Sequence, residues 1–309
     1  MLFASTIDGF SSWEKVFQSI AAWSPLMEAI YKREDLPYSM PKLLTPGSNA
    51  VFRVGQTVIK IFAPPEAEMS DVSDYANELK AHQEAEALEI HVPKLIRHGV
   101  YEDRYPFEYI IMTYIPGKDL GLVLPTLTKD EQDDVLMQIR RDIVDKLHTP
   151  SEVEYGFDHV WERALTNSRW SIFSNVVQRE VAQRLCLTFA EKTEWHSLRV
   201  HGDMTGENLL IDDQHRVYLI DFADSCYAPL QYDYVAIALG LFNMDKLLAQ
   251  RFFAYTDAAK FMTELFPFVL LHDFGAGYLR DVAARCLCLR PEQVECLSQL
   301  EACLIEHYR

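Results

Sequence analysis

Between residues 42 and 62 and again between 96 and 115, apolar runs alternate with short polar turns, a pattern typical of β-strands. A first run begins at Lys42 and ends at the turn residues 46–49, residues 55–56 separate the next two runs, and Asp103-Arg104-Tyr105-Pro106 separates the last two. The strands predicted in this way are 51–54, 57–62, 96–100 and 108–115.

Helical spacing of apolar residues governs most of the remaining chain. Two helices are predicted over 12–34, with Ser12 capping the first and Ser24-Pro25 opening the second. Thr128 and Glu131 have the spacing of a capping box, so a helix is predicted from 128 to 147. The other predicted helices are 74–90, 170–193 and most of 234–309, and residues 151–169 are predicted as a loop with short helical pieces.

A second, shorter hairpin is predicted near residue 210. The apolar runs Leu209–Ile211 and Val217–Ile220 read as two buried strands joined by a polar turn. Polar residues stand at their ends: Asp203, Asn208 five residues later, and Asp221 thirteen residues after that. Mg²⁺ prefers a few hard oxygen ligands and takes the rest from water and phosphate. The hairpin therefore predicts a magnesium–nucleotide site.

Lys60 interrupts the apolar strand predicted over 57–62. A lysine among apolar strand residues is costly unless its ammonium group is paired. Two interpretations follow: a functional lysine that meets an anion, or an edge-strand lysine that points to solvent.

The catalytic motifs resemble those of a known superfamily. His201-Gly202-Asp203, Asn208 and Asp221-Phe222 have the spacing of the kinase catalytic loop and magnesium segment. His-Gly-Asp replaces the protein kinases' His-Arg-Asp, and Ile-Asp-Phe-x-Asp replaces their Asp-Phe-Gly. In both respects the chain resembles the aminoglycoside phosphotransferase and choline kinase superfamily, over residues 43 to 233 by its motifs.

This resemblance implies an α+β, two-lobed protein-kinase-like fold. Residues 1–115 would form the N-terminal lobe, with a helical extension, an antiparallel β-sheet and one helix. Residues 116–309 would form a mainly helical C-terminal lobe that carries the catalytic loop, the magnesium site and the substrate site.

The resemblance also implies roles for the motif residues. Asp203 would accept the proton of the acceptor hydroxyl or orient it, and Asn208 and Asp221 would hold Mg²⁺. Three further residues would shape the site without reacting: His201, Asp224 and Asp233.

Lys60 lies in Val-Ile-Lys, which is similar to the strand lysine that contacts the α/β-phosphates in kinases. It would be oriented by Glu78 on the following helix, with Glu84 as the competing acid. The 46–49 turn, with Ser48 and Asn49, would lie over the phosphates.

The nucleotide base would lie between apolar side chains and the predicted hinge. Backbone groups around Met112 to Tyr114 would hydrogen-bond the purine edge. The side chains expected to sandwich the base are Val51, Ile59, Leu210 and Ile220, and each of them has core packing as its alternative.

Composition narrows the class of protein. The 309 residues are 49 % hydrophobic and carry a net charge of −17, which argues against nucleic acid as a partner and is compatible with a cationic substrate. No apolar run has the length of a membrane span, and the N-terminus lacks the features of a secretion signal. The six cysteines follow neither a disulfide framework nor a metal motif. We expect a cytoplasmic protein, monomeric or dimeric.

The sequence thus predicts a Mg²⁺-dependent small-molecule kinase that uses ATP or GTP. An aminoglycoside-type antibiotic is the leading acceptor, with antibiotic resistance as the corresponding role. Choline, a sugar, a homoserine-like metabolite and a macrolide are the alternatives. A nucleotide-binding scaffold without catalysis is the alternative from another class, although Lys60, Asp203, Asn208 and Asp221 are all present.

Overall fold

The computed structural model describes residues 1–45, 47–69, 74–149, 158–189 and 196–309. They form two compact units. Unit 1 comprises Met1–Pro116 and Ile220–Asp224, and unit 2 comprises Gly117–Leu219 and Ser225–Arg309. The chain therefore rejoins unit 1 directly after the predicted hairpin, at the segment that carries Asp221.

Unit 1 contains an antiparallel sheet of five strands: β1 (Lys42–Leu43), β2 (Ala50–Val54), β3 (Thr57–Ile61), β4 (Leu95–Glu102) and β5 (Pro106–Thr113). Their order is β1-β2-β3-β5-β4. Lys60 on β3 lies opposite Val51 on β2 and Ile110 on β5. Because β3 has a neighbour on each side, the interpretation of Lys60 as an edge-strand lysine is wrong.

An N-terminal layer covers one face of this sheet. It consists of the first residues of the chain, α1 (Phe10–Glu14) and α2 (Ile20–Arg33). The Asp103 carboxylate accepts hydrogen bonds of 2.8 Å from the backbone N–H groups of Leu2 and Phe3, which fixes the start of the chain. The buried side chains of this core include Phe3, Trp13, Trp23, Phe52, Ile59, Phe107 and Ile111.

Both N-terminal helices begin earlier than the sequence predicted. The first begins at Phe10, so Ser12 lies inside it. The second begins at Ile20, because the Ser19 side chain accepts the N–H of Ala22 and caps the helix there. Pro25 therefore lies within α2, where it has no N–H to donate to the preceding turn.

The helix α3 (Asp74–Ala87) covers the other face of the sheet. Tyr75 and Leu79 on α3 pack against Ile110 and Met112 on β5. Since successive side chains of a strand point to opposite faces, Lys60 faces α3 while its neighbours on β3 face the N-terminal layer.

Unit 2 is mainly helical. The predicted capping box at Thr128 and Glu131 is confirmed at the start of α5. π-Helical stretches continue α5, α9 and α12 over Ile139–Val144, Ala236–Leu241 and Ala283–Leu287. The α-helices are α4 (Leu120–Val123), α5 (Lys129–Gln138), α6 (Asp145–Leu147), α7 (Asp158–Thr166), α8 (Asn175–Thr188), α9 (Gln231–Val235), α10 (Lys246–Phe253), α11 (Ala258–Leu271), α12 (Gly275–Val282) and α13 (Leu297–Tyr308).

Short strands in unit 2 carry the predicted catalytic hairpin. β6 (Lys118–Asp119), β8 (Leu209–Ile211) and β9 (Val217–Leu219) form one antiparallel sheet. β7 (Leu198–Val200) pairs with β10 (Cys226–Ala228) in a second sheet. The hairpin predicted from the apolar runs is confirmed, with its second strand one residue shorter.

Some predictions concern residues outside the described ranges. These are the start of the 151–169 loop, the end of the helix predicted to 193, and residue 46 of the first turn. Within the described ranges, that helix begins at Asn175 rather than at Trp170, because Ser174 caps it. Of the helices that the structure describes, none has both the length and the apolar character needed to cross a bilayer.

Candidate active site

Unit 1 brings three of the predicted residues together around one buried ammonium group. The Lys60 Nζ lies 2.7 Å from a Glu78 carboxylate oxygen and 2.8 Å from the Asp221 Oδ1. Glu84, the competing acid, pairs instead with Lys80 on the same helix. Lys60 and Glu78 are almost fully buried, whereas the Asp221 side chain is 41 % exposed.

The two carboxylates keep this lysine charged. Burial alone would lower the pKa of Lys60, but attraction by Asp221 and Glu78 outweighs it, and the pKa is raised. Burial raises the pKa of Glu78 against the attraction of Lys60. Glu78 and Asp221 thus keep the Lys60 ammonium group positively charged. Because Asp221 is half-exposed, a phosphate oxygen can approach this charge from its side.

Two residues of α3 anchor the segment that carries Asp221. The Asn77 side chain donates a 2.9 Å hydrogen bond to the Ala223 carbonyl, and the buried Phe222 packs edge-on against His82. Asp221 itself has φ +60°, a left-handed conformation that non-glycine residues adopt at a cost of about 1–3 kcal/mol. Asp224, at the end of the segment, is exposed.

One predicted base contact is wrong. Ile59 is fully buried in the core against the N-terminal layer. It follows the alternation of β3, which places it on the opposite face from Lys60. Val51, the partner of Lys60 across the β2–β3 pair, shares the Lys60 face and is partly buried.

The β1–β2 loop, residues 44–49, holds Ser48 and Asn49 in different surroundings. Ser48 is exposed, and its carbonyl accepts a hydrogen bond from the indole of Trp13. Asn49 is 3 % exposed, and its Oδ1 accepts the N–H of Ala63 at 3.1 Å. Asn49 therefore ties the loop to the end of β3 through its side chain.

The predicted hinge uses its N–H groups within unit 1. The Thr113 N–H donates to the Lys94 carbonyl and the Tyr114 N–H donates to the Gln56 carbonyl, each at 2.9 Å. Met112 lies inside β5, between β3 and β4. The Tyr114 N–H is therefore used within unit 1. The contact of a purine edge with backbone groups around Met112 to Tyr114 stays a prediction.

Unit 2 carries the loop with Asp203. The Asn208 Nδ2 donates to both the carbonyl and the Oδ2 of Asp203, each at 2.8 Å. The fully buried His201 accepts the backbone N–H of Asp203 at its Nδ1, at 3.3 Å. His201 thus shapes the loop, and Asn208 fixes the orientation of the Asp203 carboxylate.

Asp233 is the buried anchor of this loop. Its carboxylate accepts the backbone N–H groups of His201 and Gly202 at 3.0 and 2.9 Å, and the His148 Nε2 at 2.9 Å. Burial would raise the pKa of Asp233, but these hydrogen bonds lower it. Gly202 has φ +84°, so the turn before Asp203 depends on a residue without a Cβ.

Two glycines that the sequence analysis did not single out also position the loop. A Cβ added at Gly206 would lie 2.5 Å from the Cα of Gly121 at the start of α4. The Gly121 N–H donates to the Gly206 carbonyl at 3.1 Å. Leu210 lies beyond this contact on β8, partly buried, and Ile220, also partly buried, belongs to unit 1.

The residues predicted to hold Mg²⁺ provide suitable donors. Asn208 directs its Nδ2 to Asp203, which leaves its amide oxygen on the other edge of the group. Asp221 offers a carboxylate that is 41 % exposed. An amide oxygen and a carboxylate are each oxygen donors of the kind that Mg²⁺ prefers.

His272 makes the stability of unit 2 dependent on pH. It is fully buried, stacks on Tyr232 at 4.2 Å and accepts the Phe274 N–H at its Nδ1. Burial lowers the pKa of His272 to about 4, so between about pH 6.5 and about pH 4 the imidazole is protonated in the unfolded chain and neutral in the folded one. We expect this residue to reduce the free energy of unfolding as the pH falls towards 4, by at most about 1.4 kcal/mol per pH unit.

Urea unfolding between about pH 7 and about pH 5 measures this effect. His272→Asn keeps an acceptor near the Nδ1 position but does not titrate in this range. The free energy of unfolding should fall less steeply with acid in this variant than in the wild type. Parallel pH profiles would show that His272 is not the titrating group.

Comparisons with known proteins bear on this arrangement. The model of the phosphotransferase enzyme family matches residues 45–265. No curated protein matches the chain in a sequence search.

Among solved structures, the GDP complex of wild-type aminoglycoside 2'-phosphotransferase-IIIa is similar, with a TM-score of 0.60 and 16 % identity over 94 % of this chain and 99 % of that one. The ADP-bound aminoglycoside phosphotransferase APH(2'')-Ib has a TM-score of 0.53 and 16 % identity over 92 % and 96 %. A choline/ethanolamine kinase family protein from Mesorhizobium loti has a TM-score of 0.53 and 15 % identity over 92 % of each chain. The predicted protein-kinase-like α+β fold is confirmed by this similarity.

Proposed function

The chain belongs to the phosphotransferase enzyme family, and we propose that it transfers the γ-phosphate of ATP or GTP, bound with Mg²⁺, to a hydroxyl group of a small molecule. The observation that carries the proposal is the Lys60 ammonium group, buried at 2.7 Å from Glu78 and 2.8 Å from Asp221. A buried cation beside a half-exposed carboxylate suits a polyphosphate and its metal ion.

Each residue has a role in this proposal. Asp203, oriented by Asn208, accepts the proton of the acceptor hydroxyl or aligns it for in-line attack. Lys60 binds the α/β-phosphates. Asn208 and Asp221 hold Mg²⁺, which supplies charge neutralisation between the phosphates. Most of the rate enhancement then comes from positioning and electrostatics.

The leading acceptor in this proposal is an aminoglycoside-type antibiotic. The net charge of −17 favours a cationic acceptor, and similar solved structures include complexes with kanamycin and with streptomycin. If the acceptor is an aminoglycoside, the enzyme confers antibiotic resistance. We expect it to be cytoplasmic. We expect it to act as a monomer or a dimer.

A metabolite acceptor such as choline, a sugar or a homoserine-like compound is the second candidate. It is favoured by three acids of the C-terminal region, which already have arginine partners. Asp273 pairs with Arg163 at 2.5 Å, Asp281 with Arg280 at 2.9 Å, and Glu306 with Arg309 at 2.8 Å. A polycation would have to displace these arginines to use the same carboxylates.

The test is nucleotide consumption by the purified protein with Mg²⁺ and ATP or GTP. The acceptor panel contains aminoglycosides, macrolides, choline and simple sugars, and mass spectrometry of the product should show one added phosphate. Nucleotide binding without turnover on any acceptor would favour the scaffold alternative. Absence of both binding and turnover would contradict the proposal.

Asp221→Asn should weaken binding of the magnesium nucleotide. The change removes a charged oxygen from the metal and from Lys60, so we expect the Mg²⁺ concentration for half-maximal nucleotide binding to rise by about 10- to 100-fold. Titration of Mg²⁺ at a fixed nucleotide concentration measures it. Asp213→Asn, in the exposed β8–β9 turn, is the matched control. An unchanged Mg²⁺ requirement in Asp221→Asn would exclude the proposed metal role.

A further inference from the structure

The N-terminal layer reaches the β1–β2 loop through one hydrogen bond. The indole N–H of Trp13 donates to the Ser48 carbonyl at 2.9 Å. Trp13 has no exposed surface, whereas Ser48 is exposed. A rigid buried donor on α1 therefore holds the backbone of an exposed loop.

The aromatic cluster around Trp13 fixes the position of this donor. Trp13 contacts Trp23 edge-on, with ring centroids 5.7 Å apart, and Trp23 contacts Phe107 on β5 at 5.1 Å. Trp13 also stacks on Phe17 at 6.2 Å. Because Phe107 belongs to the sheet, the position of the indole N–H is set by the same core that holds β3.

The hydrogen bond determines which way the next peptide group points. In a trans peptide the carbonyl and the following N–H point in opposite directions. With the Ser48 carbonyl held towards Trp13, the Asn49 N–H points away from the N-terminal layer. The Asn49 side chain is held separately, by the N–H of Ala63. Hydrogen bonds thus hold the loop on both sides of the peptide bond between Ser48 and Asn49.

We infer that Trp13 is a positioning residue for the nucleotide phosphates, acting through the Ser48 carbonyl on the β1–β2 loop. The inference rests on the proposed function, in which this loop lies over the phosphates. Preorganising backbone N–H groups lowers the cost of ordering them around an anion. Trp13 touches no reacting atom, so it affects nucleotide affinity and not the chemical step.

The chain contains a matched control. Trp23 is as buried as Trp13, and its indole N–H donates at 2.8 Å to the Val16 carbonyl, within the N-terminal segment. Trp13→Phe and Trp23→Phe each remove one indole hydrogen bond and about the same volume from one aromatic cluster. Only the first change removes the hydrogen bond that the β1–β2 loop accepts.

The experiment measures binding of MgADP and MgGDP by calorimetry in the wild type and both variants, with thermal unfolding of each. We expect Trp13→Phe to raise the Kd of whichever nucleotide the wild type binds by about three- to tenfold, and Trp23→Phe to change it by less than about twofold. Both should lower the Tm, and kcat at saturating nucleotide should stay near the wild-type value in Trp13→Phe. If Trp13→Phe does not fold, Trp13→Tyr fills more of the space and still lacks a donor at the indole position.

The outcomes separate the inference from the proposed function. A wild type that binds nucleotide, with equal Kd changes in the two variants, overturns the inference alone. A Trp13→Phe variant whose main defect is in kcat overturns it as well. A wild type that binds neither nucleotide overturns both the proposed function and the inference.

Discussion

Asp203→Asn should lower kcat by about a thousandfold or more while the nucleotide Kd stays within about twofold of the wild type. The substitution keeps the shape of the side chain, and an amide oxygen can still accept from Asn208 Nδ2. The backbone of the loop is held independently, by the Asp203 N–H on His201 and by Asp233. In the proposed mechanism, what is lost is the negative charge that accepts or aligns the hydroxyl proton.

Steady-state turnover, calorimetric nucleotide binding and urea unfolding together test this expectation. Glu207→Gln is the matched control, because Glu207 is an exposed acid in the same loop, between Asp203 and Asn208. The free energy of unfolding should change by less than about 0.5 kcal/mol in the control. Turnover within tenfold of the wild type in Asp203→Asn would refute the catalytic role.

Where a residue conflicts with its own surroundings, the sequence is informative about the site. Lys60 is a charged residue in an apolar strand, and the cost of burying it alone predicts that its ammonium group has an anionic partner. Two partners are present, Glu78 and Asp221. The hairpin β8–β9 is similarly predictable, since short apolar runs flank a polar turn.

The alternation of side chains along β3 decides between the roles predicted for Ile59 and Lys60. A base contact by Ile59 conflicts with a phosphate contact by Lys60, because adjacent strand residues point to opposite faces. The apolar character of Ile59 fits both a base contact and the core, and the core against the N-terminal layer is where it lies. Val58, which faces α3, has the direction that the base contact required.

Long-range single hydrogen bonds cannot be predicted from the sequence. The Trp13 indole reaches a carbonyl 35 residues away, and Asn77 reaches one 146 residues away. Composition and periodicity do not identify either acceptor, because every residue has a backbone carbonyl. The left-handed backbone of Asp221, with φ +60°, is equally hard to place from the sequence, because aspartate adopts positive φ more often than most residues but only at a minority of its positions.

Asp233→Ala should reduce the free energy of unfolding of unit 2 by about 3–5 kcal/mol. The carboxylate has no exposed surface, and its removal leaves the N–H groups of His201 and Gly202 and the ring of His148 without their acceptor. Buried donors without acceptors each cost about 1–3 kcal/mol. Because two of these donors belong to the turn before Asp203, we also expect kcat to fall.

Asp245→Ala isolates the contribution of burial. Asp245 is exposed and its side chain also accepts two backbone N–H groups, those of Leu247 and Leu248, at 2.8 and 3.1 Å. The same substitution there removes a helix cap and should cost about 1 kcal/mol, because water replaces the lost acceptor. Urea unfolding compares the two, and hydrogen exchange of residues 200–204 should accelerate only in Asp233→Ala. Equal losses of stability would mean that Asp233 is no more than a local cap, and that the loop with Asp203 is held by its other contacts.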